Sequence, residues 1–168
     1  ALQAAQAATN TIPILGTSIT EYGVAMGITD FDGLVGGNVS GTSDLAPLDE
    51  QAEMILEWFP EAKDIALLYC SSEANSLYQV EGMQAELEAL GRTAVCYPFT
   101  DSNDLSAVTE TAAANADVIY VPTDNTIASC TELILNVVEM EKVPVIGGDR
   151  GICAGCGVAT ICIDYYDL

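Results

Sequence analysis

The chain has 168 residues and carries 25 acidic against only 4 basic side chains, so its formal net charge is −21 at pH 7. Half of the residues are hydrophobic, so the composition predicts a folded domain in spite of this charge. A chain without a basic patch is a poor partner for nucleic acid or an anionic membrane. The absence of histidine excludes Ser-His triads and every histidine metal site.

The first part of the chain predicts few regular elements. Residues 1–8 have a helical pattern, residues 12–15 predict a strand, and the Gly- and Thr-rich segment that follows predicts no clear helix. The residues from 164 onward are typical of a helix start. We therefore expect the sequence to be an internal fragment of a longer protein.

From Leu48 onward, helical and strand patterns alternate at short intervals. This alternation is typical of parallel βαβ units with helices on both faces of a sheet. The predicted helices span residues 48–59, 73–90, 104–114 and 124–142, and the predicted strands span residues 65–70, 93–97, 117–121, 143–146 and 158–163. The fold class that the pattern predicts is therefore α/β with a parallel sheet.

Two flexible stretches rich in small residues flank this block. We predict that residues 45–146 form a nearly complete second lobe and that residues 1–37 and 152–168 belong to a first lobe. Residues 38–44 and 147–151 are then the hinge crossovers between the lobes. A cleft between lobes is the expected ligand site.

Polar residues follow two of the predicted strands, where open parallel sheets bind their ligands. The clusters are Ser71, Ser72, Glu73, Asn75 and Ser76 after the first strand of the block, and Thr123, Asp124, Asn125 and Thr126 after the third. Hydroxyl and amide groups at a helix N-terminus suit a carboxylate, because the free N–H groups and the helix dipole favour an anion. The alternative is that Ser71 or Ser72 only caps a helix and that Asp124 only complements a helix dipole.

Two aspartates follow successive strands and are candidates for binding an ammonium group. Asp124 and Asp149 face one cleft if their strands are neighbours in the sheet. The alternative for Asp149 is an ion pair with Arg150 or contact with solvent. Two close carboxylates also suit acid and base catalysis, but no nucleophile or metal site accompanies them.

Six cysteines are present, and only Cys153 and Cys156 have an informative spacing. One CxxC pair lacks the second pair of a four-cysteine zinc site, and the surrounding glycines favour a loop over the helix start of a thioredoxin-like motif. We therefore expect a local disulfide between Cys153 and Cys156 if the compartment is oxidising.

Four segments together carry a family resemblance. They are GGNVSGTSD at residues 36–44, LYCSSEANS at 68–76, VPTDNT at 121–126 and IDYYDL at 163–168. In this order they resemble the solute-binding proteins of ABC importers of the tryptophan and tyrosine type.

The resemblance implies a type I periplasmic-binding fold, with two doubly wound parallel-sheet lobes of which one is incomplete here. It also implies an extracytoplasmic, monomeric protein without catalysis, cofactor or metal, which delivers a small solute such as an aromatic amino acid to the permease. It adds Thr17, Ser18 and Thr20 of the first lobe to the expected ligand contacts.

Two other functions are compatible with the same patterns. The first is a ligand-sensing domain of a regulator or receptor, because one fold serves both roles. The second is an α/β enzyme that uses Asp124 and Asp149, which would need a metal or cofactor that the sequence does not indicate.

Overall fold

The computed structural model describes residues 1–168 and divides the chain into two compact units. Unit 1 comprises residues Ala1–Ala46 and Ile163–Leu168, and unit 2 comprises residues Pro47–Cys162. Each unit contains its own parallel sheet. No helix in either unit has the length and the apolar character that a membrane span requires.

Unit 2 is built on a four-stranded parallel sheet in the order β4-β3-β5-β6. The strands are β3 (Asp64–Cys70), β4 (Thr93–Phe99), β5 (Val118–Val121) and β6 (Val145–Gly147). The chain passes from β3 to β4 on one side and then returns to place β5 on the other side of β3. The strand order therefore changes direction between β3 and β5.

Helices cover both faces of this sheet and create two cores. Ile65, Leu67 and Tyr69 of β3 pack towards α3 (Leu48–Trp58) and α4 (Ala74–Ala89). The alternate residues Ala66, Leu68 and Cys70 pack with α5 (Ser102–Ala113), α7 (Thr131–Glu141) and α8 (Arg150–Cys156). Because both faces of β3 are buried, its sequence is a continuous apolar run rather than an alternating one.

The helix predicted over residues 124–142 is two helices. α6 (Asn125–Ala128) ends before α7, and Cys130 between them has a non-helical backbone with a φ of −150°. The apolar spacing did not reveal the break, because Ile127, Cys130 and Ile134 all reach the same core.

The segment around Cys153 and Cys156 is a helix, so the predicted loop was wrong. Asp149 begins α8 by accepting a hydrogen bond from the N–H of Ile152 at 2.8 Å. Gly155 packs so close to α7 that a Cβ at this position would collide with the side chain of Thr131. The glycine thus reflects close helix packing rather than a flexible loop.

The strand predicted over residues 158–163 is reduced to a single bridge. Ala159 pairs with Ile146, and the N–H of Val158 donates to the carbonyl of Val145 at 2.8 Å. Ile152, Cys156 and Ala159 are buried in the two cores of unit 2. The structure therefore places residues 152–162 in unit 2, whereas the sequence predicted them in the first lobe.

The predicted hinge stretches also contain regular structure. Residues Val39–Ser43 form β2, which pairs in parallel with β1 (Ile14–Ile19). Gly147 ends β6, and Arg150 begins α8. The boundaries of the units fall instead at residues 46/47 and 162/163.

Unit 1 contains α1 (Leu2–Ala8), β1, α2 (Tyr22–Met26), β2 and the last six residues of the chain. α2 was not predicted, because a helix of five residues is too short to show periodicity. Its ends follow the usual rules: the Glu21 side chain accepts from the N–H of Gly23 at 2.9 Å, and Gly27 closes the helix with a φ of +65°.

The hydroxyl of Tyr22 contacts both β1 and β2 of unit 1. Its buried hydroxyl donates to the carbonyl of Gly16 at 2.9 Å and lies 3.2 Å from the carbonyl of Thr42. Leu15 on β1 is nevertheless 77% exposed. Two paired strands are fewer than a stable sheet needs, so unit 1 has the character of a partial lobe.

Candidate functional site

The carboxyl ends of β3 and β5 lie side by side, because these strands pair in register from Ile65 and Val118 onward. They are also the strands between which the strand order changes direction. Ligands of open parallel sheets bind at this place, in the crevice beyond the strand ends. The two polar clusters predicted from the sequence follow these two strands.

Glu73, at the start of α4, fixes the start of α6. Its carboxylate accepts from the N–H and the amide of Asn125 at 3.0 and 2.7 Å, and from the N–H and the hydroxyl of Thr126 at 2.8 and 2.7 Å. Burial raises the pKa of Glu73, but the hydrogen bonds from Thr126 and Asn125 outweigh it and hold the pKa below its ordinary value. Glu73 is therefore ionised at neutral pH.

Gln79 and Asn75 hold the loop after β5 through the backbone of Thr123. The side-chain amides of both residues donate to the Thr123 carbonyl at 3.1 Å, and Gln79 Oε1 accepts from the Thr123 N–H at 3.2 Å. Gln79 is fully buried. The role of Gln79 was not predictable from the sequence, because one glutamine in a helical pattern carries no signal of a buried contact.

Asp124 connects the end of β3 to the start of α6. Its Oδ2 accepts from the N–H of Cys70 at 2.8 Å, and its Oδ1 accepts from the N–H of Ile127 at 2.9 Å. Asp124 is 1% exposed, and burial raises the pKa of its carboxyl despite the backbone hydrogen bonds from Ile127 and Cys70. Both oxygens are engaged within the protein, so the structure gives Asp124 a structural role, and contact with an ammonium group stays a prediction.

Ser71 and Ser72 do not cap α4, so that alternative was wrong. The Ser71 hydroxyl donates to the carbonyl of Phe99 at 2.9 Å, and the Ser72 hydroxyl donates to the carbonyl of Thr100 at 3.3 Å. Both serines are exposed and connect the end of β3 to the end of β4. The first turn of α4 has no side-chain cap, which leaves its N–H groups available to an anion.

Asp149 follows β6 and caps α8, with its other oxygen not used in that cap. The N–H of the preceding Gly148 donates to the carbonyl of Val121 at 2.6 Å, which brings this loop against the loop after β5. Asp149 is half-buried, in contrast to Asp124. Of the two predicted aspartates, Asp149 is thus the better candidate for accepting a hydrogen bond from a ligand.

Buried Gln51 of α3 contacts this loop, because its amide donates to the carbonyl of Gly148 at 3.4 Å. Its amide donates to the carbonyl of Ile161 at 2.6 Å, and its Oε1 accepts from the hydroxyl of Tyr120 at 2.7 Å. Burial and then the charge of Asp149 raise the pKa of Tyr120, so its hydroxyl stays protonated as a donor. Neither Gln51 nor Tyr120 was predicted to belong to the site.

The three predicted contacts of the first lobe belong to unit 1. Thr17 and Ser18 lie in β1, where Ser18 has a φ of +55° and interrupts the register with β2. Thr20 follows β1, is buried, and accepts at its carbonyl a hydrogen bond from the Ser43 hydroxyl at 2.8 Å. Their contact with a ligand stays a prediction.

All six cysteines are free thiols in this structure, and the disulfide expected between Cys153 and Cys156 in an oxidising compartment stays a prediction. α8 turns Cys156 into the core, where its Sγ lies 3.5 Å from the carbonyl of Ile152. Burial, followed by the charges of Cys153 and Asp149, raises the pKa of Cys156 to about 12. No group of three or more Cys, Asp or Glu side chains is arranged to hold a metal ion.

Comparison with known proteins identifies the family. A sequence profile of the family described as "ABC transporter substrate binding protein" matches residues 1–168. The chain belongs to this family. The resemblance drawn from the four sequence segments is thereby confirmed, and proteins of this family are in general binding proteins rather than enzymes.

The relatives of this substrate-binding protein agree with that assignment. A curated tyrosine-binding protein of Clostridioides difficile is 34% identical over 166 residues, which are 99% of this chain and 48% of that protein. The chain thus spans about half the length of this relative.

Solved structures show the same fold. The ABC domain of a Streptococcus pneumoniae protein in complex with L-Trp is 31% identical with a TM-score of 0.90, over 99% of this chain and 57% of that one. A conserved domain protein of Vibrio cholerae is 32% identical with a TM-score of 0.89, over 99% and 56% of the two chains. The predicted α/β fold of the periplasmic-binding type, with one lobe partial, is confirmed.

Proposed function

We propose that this chain is part of the solute-binding component of an ABC importer, which captures an amino acid with an aromatic side chain outside the cytoplasm and passes it to a membrane permease. The observation that carries the proposal is the pair of hydrogen-bonded loops at the carboxyl ends of β3 and β5, together with the first turn of α4, which has no side-chain cap. The L-Trp complex of one relative and the tyrosine-binding function of another support the ligand class.

The first part of the proposal concerns the carboxylate of the ligand. The first turn of α4 directly follows exposed Ser71 and Ser72 in the chain, and a helix of 16 residues presents its positive dipole end there. Glu73 and Gln79 hold this edge rigid through their bonds to Thr126 and Thr123. A preformed site of this kind loses little entropy on binding.

The second part concerns the ammonium group, which we assign to the carboxylate of Asp149 rather than to Asp124. Asp149 is half-buried and uses one oxygen to cap α8, whereas both oxygens of Asp124 are engaged by backbone N–H groups. Asp149→Asn keeps an oxygen that can cap the helix but removes the charge. The expected loss of affinity is about tenfold to a hundredfold, as for a hydrogen bond to a charged group.

Titration calorimetry of the full-length protein with L-Trp, L-Tyr and L-Phe tests this function. We expect binding of at least one of them, weaker binding of its amide derivative, and no chemical change in the recovered ligand. Asp101 also caps its helix with a side-chain oxygen, at 2.8 Å from the N–H of Asn103, and Asp101→Asn is the matched control for Asp149→Asn. Absence of binding for all aromatic amino acids would overturn the proposed ligand class, and equal affinity of Asp149→Asn and wild type would overturn the ammonium assignment.

The partnership with a permease has its own test. The ligand-loaded protein should stimulate ATP hydrolysis by its reconstituted importer, and the ligand-free protein should do so less. No stimulation in the presence of bound ligand would favour the sensory role that the same fold supports.

A further inference from the structure

A second feature of unit 2 lies next to the candidate binding site and involves the segment that leaves this unit. The segment over residues 158–162 runs beside β6, since Ala159 pairs with Ile146 and the N–H of Gly147 donates to the carbonyl of Ala159 at 3.1 Å. α8 packs on the same strand end, where a Cβ on Gly147 would lie only 2.8 Å from the backbone nitrogen of Cys153. Gly147 therefore has Cys153 and Ala159 as direct neighbours.

The path of the chain brings Cys162 close to the start of α8. Ala159 and Ile161 both pack in the core under α3 and α4. The amide of Gln51 donates to the carbonyls of both Ile161 and Gly148, at 2.6 and 3.4 Å, so Cys162 follows Ile161 beside the Gly148–Asp149 turn. The Asp149 carbonyl of that turn accepts from the N–H of Cys153 at 3.0 Å. After burial, the largest influence that raises the pKa of Cys153 is the negative charge of Cys162, and such an effect requires a short separation.

Cys156 is a poorer partner for Cys153 than Cys162 is. Its side chain is buried in the core and its Sγ lies 3.5 Å from the carbonyl of Ile152, so an oxidant in solution reaches it less readily than it reaches a half-buried thiol. Cys153 and Cys162 are both half-buried.

We propose that Cys153 and Cys162, rather than Cys153 and Cys156, form a disulfide when the protein meets a disulfide oxidant. One thiol loses its proton and attacks a sulfur of the oxidant, which releases one thiol from the oxidant and leaves a mixed disulfide. The second protein thiolate attacks that mixed disulfide and releases the second thiol. Two protons leave the protein and two electrons pass to the oxidant.

The bond closes a ring over residues 153–162 and fastens the chain segment that leaves unit 2 to α8. Such a link restricts the unfolded chain more than the folded one and so stabilises unit 2. The expected effect is a rise in the melting temperature of roughly 5 °C on oxidation.

The test is oxidation of the whole protein with glutathione disulfide, followed by iodoacetamide alkylation and peptide mapping by mass spectrometry. We expect Cys153 and Cys162 to be joined and Cys156 to carry the alkyl group after denaturation. Cys156→Ser should keep the bond and the rise in melting temperature, whereas Cys153→Ser and Cys162→Ser should each lose both. Circular dichroism of the three variants confirms that each one is folded before oxidation.

Several results would overturn the proposal. They are a bond between Cys153 and Cys156, a bond that survives Cys162→Ser, and alkylation of both Cys153 and Cys162 after full equilibration with the oxidant. None of these readings depends on a bound ligand, so they are separate from the test of the proposed function.

Discussion

Glu73 and Thr126 are joined twice, because one carboxylate oxygen accepts from both the N–H and the hydroxyl of Thr126, at 2.8 and 2.7 Å. These residues lie at the first turns of two helices that follow neighbouring strands. These two hydrogen bonds connect the loops after β3 and β5, at the edge of the sheet where we place the ligand.

Glu73→Gln is expected to lower the free energy of unfolding at pH 7 by about 1–2 kcal/mol, because hydrogen bonds to a charged acceptor are replaced by weaker ones and Glu73 is only partly shielded from solvent. The pKa of Glu73 is lower in the folded than in the unfolded protein. Its stabilisation is therefore present above the unfolded pKa of about 4.3 and is lost as the pH falls through the folded value.

Urea unfolding between pH 7 and pH 3 measures this dependence. The difference between wild type and Glu73→Gln should shrink as the pH falls below about 4. Exposed Glu86 on the same helix is the control, and Glu86→Gln should have little effect at any pH. A constant difference across this range would contradict the assignment of the hydrogen bonds to ionised Glu73.

Gln79→Ala should lower the free energy of unfolding by about 2–3 kcal/mol. The substitution leaves the N–H of Thr123 without the acceptor that buried Gln79 supplies and leaves the Thr123 carbonyl with Asn75 as its remaining side-chain donor. Gln84 of the same helix is half-buried, donates to the carbonyl of Ala94 and accepts a long contact of 3.9 Å from the Cys96 thiol, so Gln84→Ala should cost less. Chemical denaturation of both variants checks the order, and equal losses would refute a special role for Gln79.

The order of helices and strands in unit 2 could be predicted from the sequence, whereas the candidate site at the carboxyl ends of β3 and β5 could be predicted only in part. Continuous apolar runs such as residues 65–70 predicted buried strands, and polar residues after them predicted the edge at which Glu73 and Asp124 lie. The contacts of Gln79 and Gln51 were not predictable, because these residues reach backbone groups 44 and 110 positions away in the chain. Local patterns carry no information about such distant partners.

The helix at residues 150–156 shows the same limit in another form. Glycines at positions 151, 155 and 157 predicted a loop, yet Gly155 is required by the approach of Thr131 from α7. Tertiary packing therefore decided the local structure against the propensity of the residues.

Asp124→Asn should destabilise unit 2 by about 1–3 kcal/mol. The asparagine amide has one acceptor atom, so one of the N–H groups of Cys70 and Ile127 loses its partner. Asp101 is exposed and accepts at one oxygen, so Asp101→Asn is the control and should cost less than 1 kcal/mol. Thermal unfolding compares the stabilities of the two variants. An Asp124→Asn variant as stable as the wild type would show that the buried carboxylate has no structural role.

Gly41→Ala should disrupt unit 1 and spare unit 2. A Cβ at residue 41 would collide with the carbonyl oxygen of Gly16 and the hydroxyl of Tyr22, which join β1 to β2. Hydrogen exchange should become faster in β1 and stay unchanged in β3. Gly36 has open space around it and a φ of +77°, so Gly36→Ala measures conformational strain alone, at about 1 kcal/mol. Equal exchange rates in the two variants would contradict the steric explanation.

Thiol reactivity should follow burial. Burial raises the pKa of Cys153, and burial raises the pKa of Cys156 further, to about 12. Because the thiolate is the reactive form, iodoacetamide at pH 8 should label the native protein at Cys153 well before Cys156. Peptide mapping over time measures the two rates, and faster labelling of Cys156 would show that α8 opens.

The two units differ in how they use the chain. Unit 2 is one unbroken stretch from Pro47 to Cys162, whereas unit 1 joins Ala1–Ala46 to residues 163–168, with the Tyr165 hydroxyl bonded to Asp44 at 3.0 Å. During synthesis on the ribosome, unit 2 has all of its strands as soon as Cys162 leaves the exit tunnel. Residues 1–46 reach their contacts with residues 163–168 only after those residues have been made, so unit 2 has its contacts available before unit 1 does.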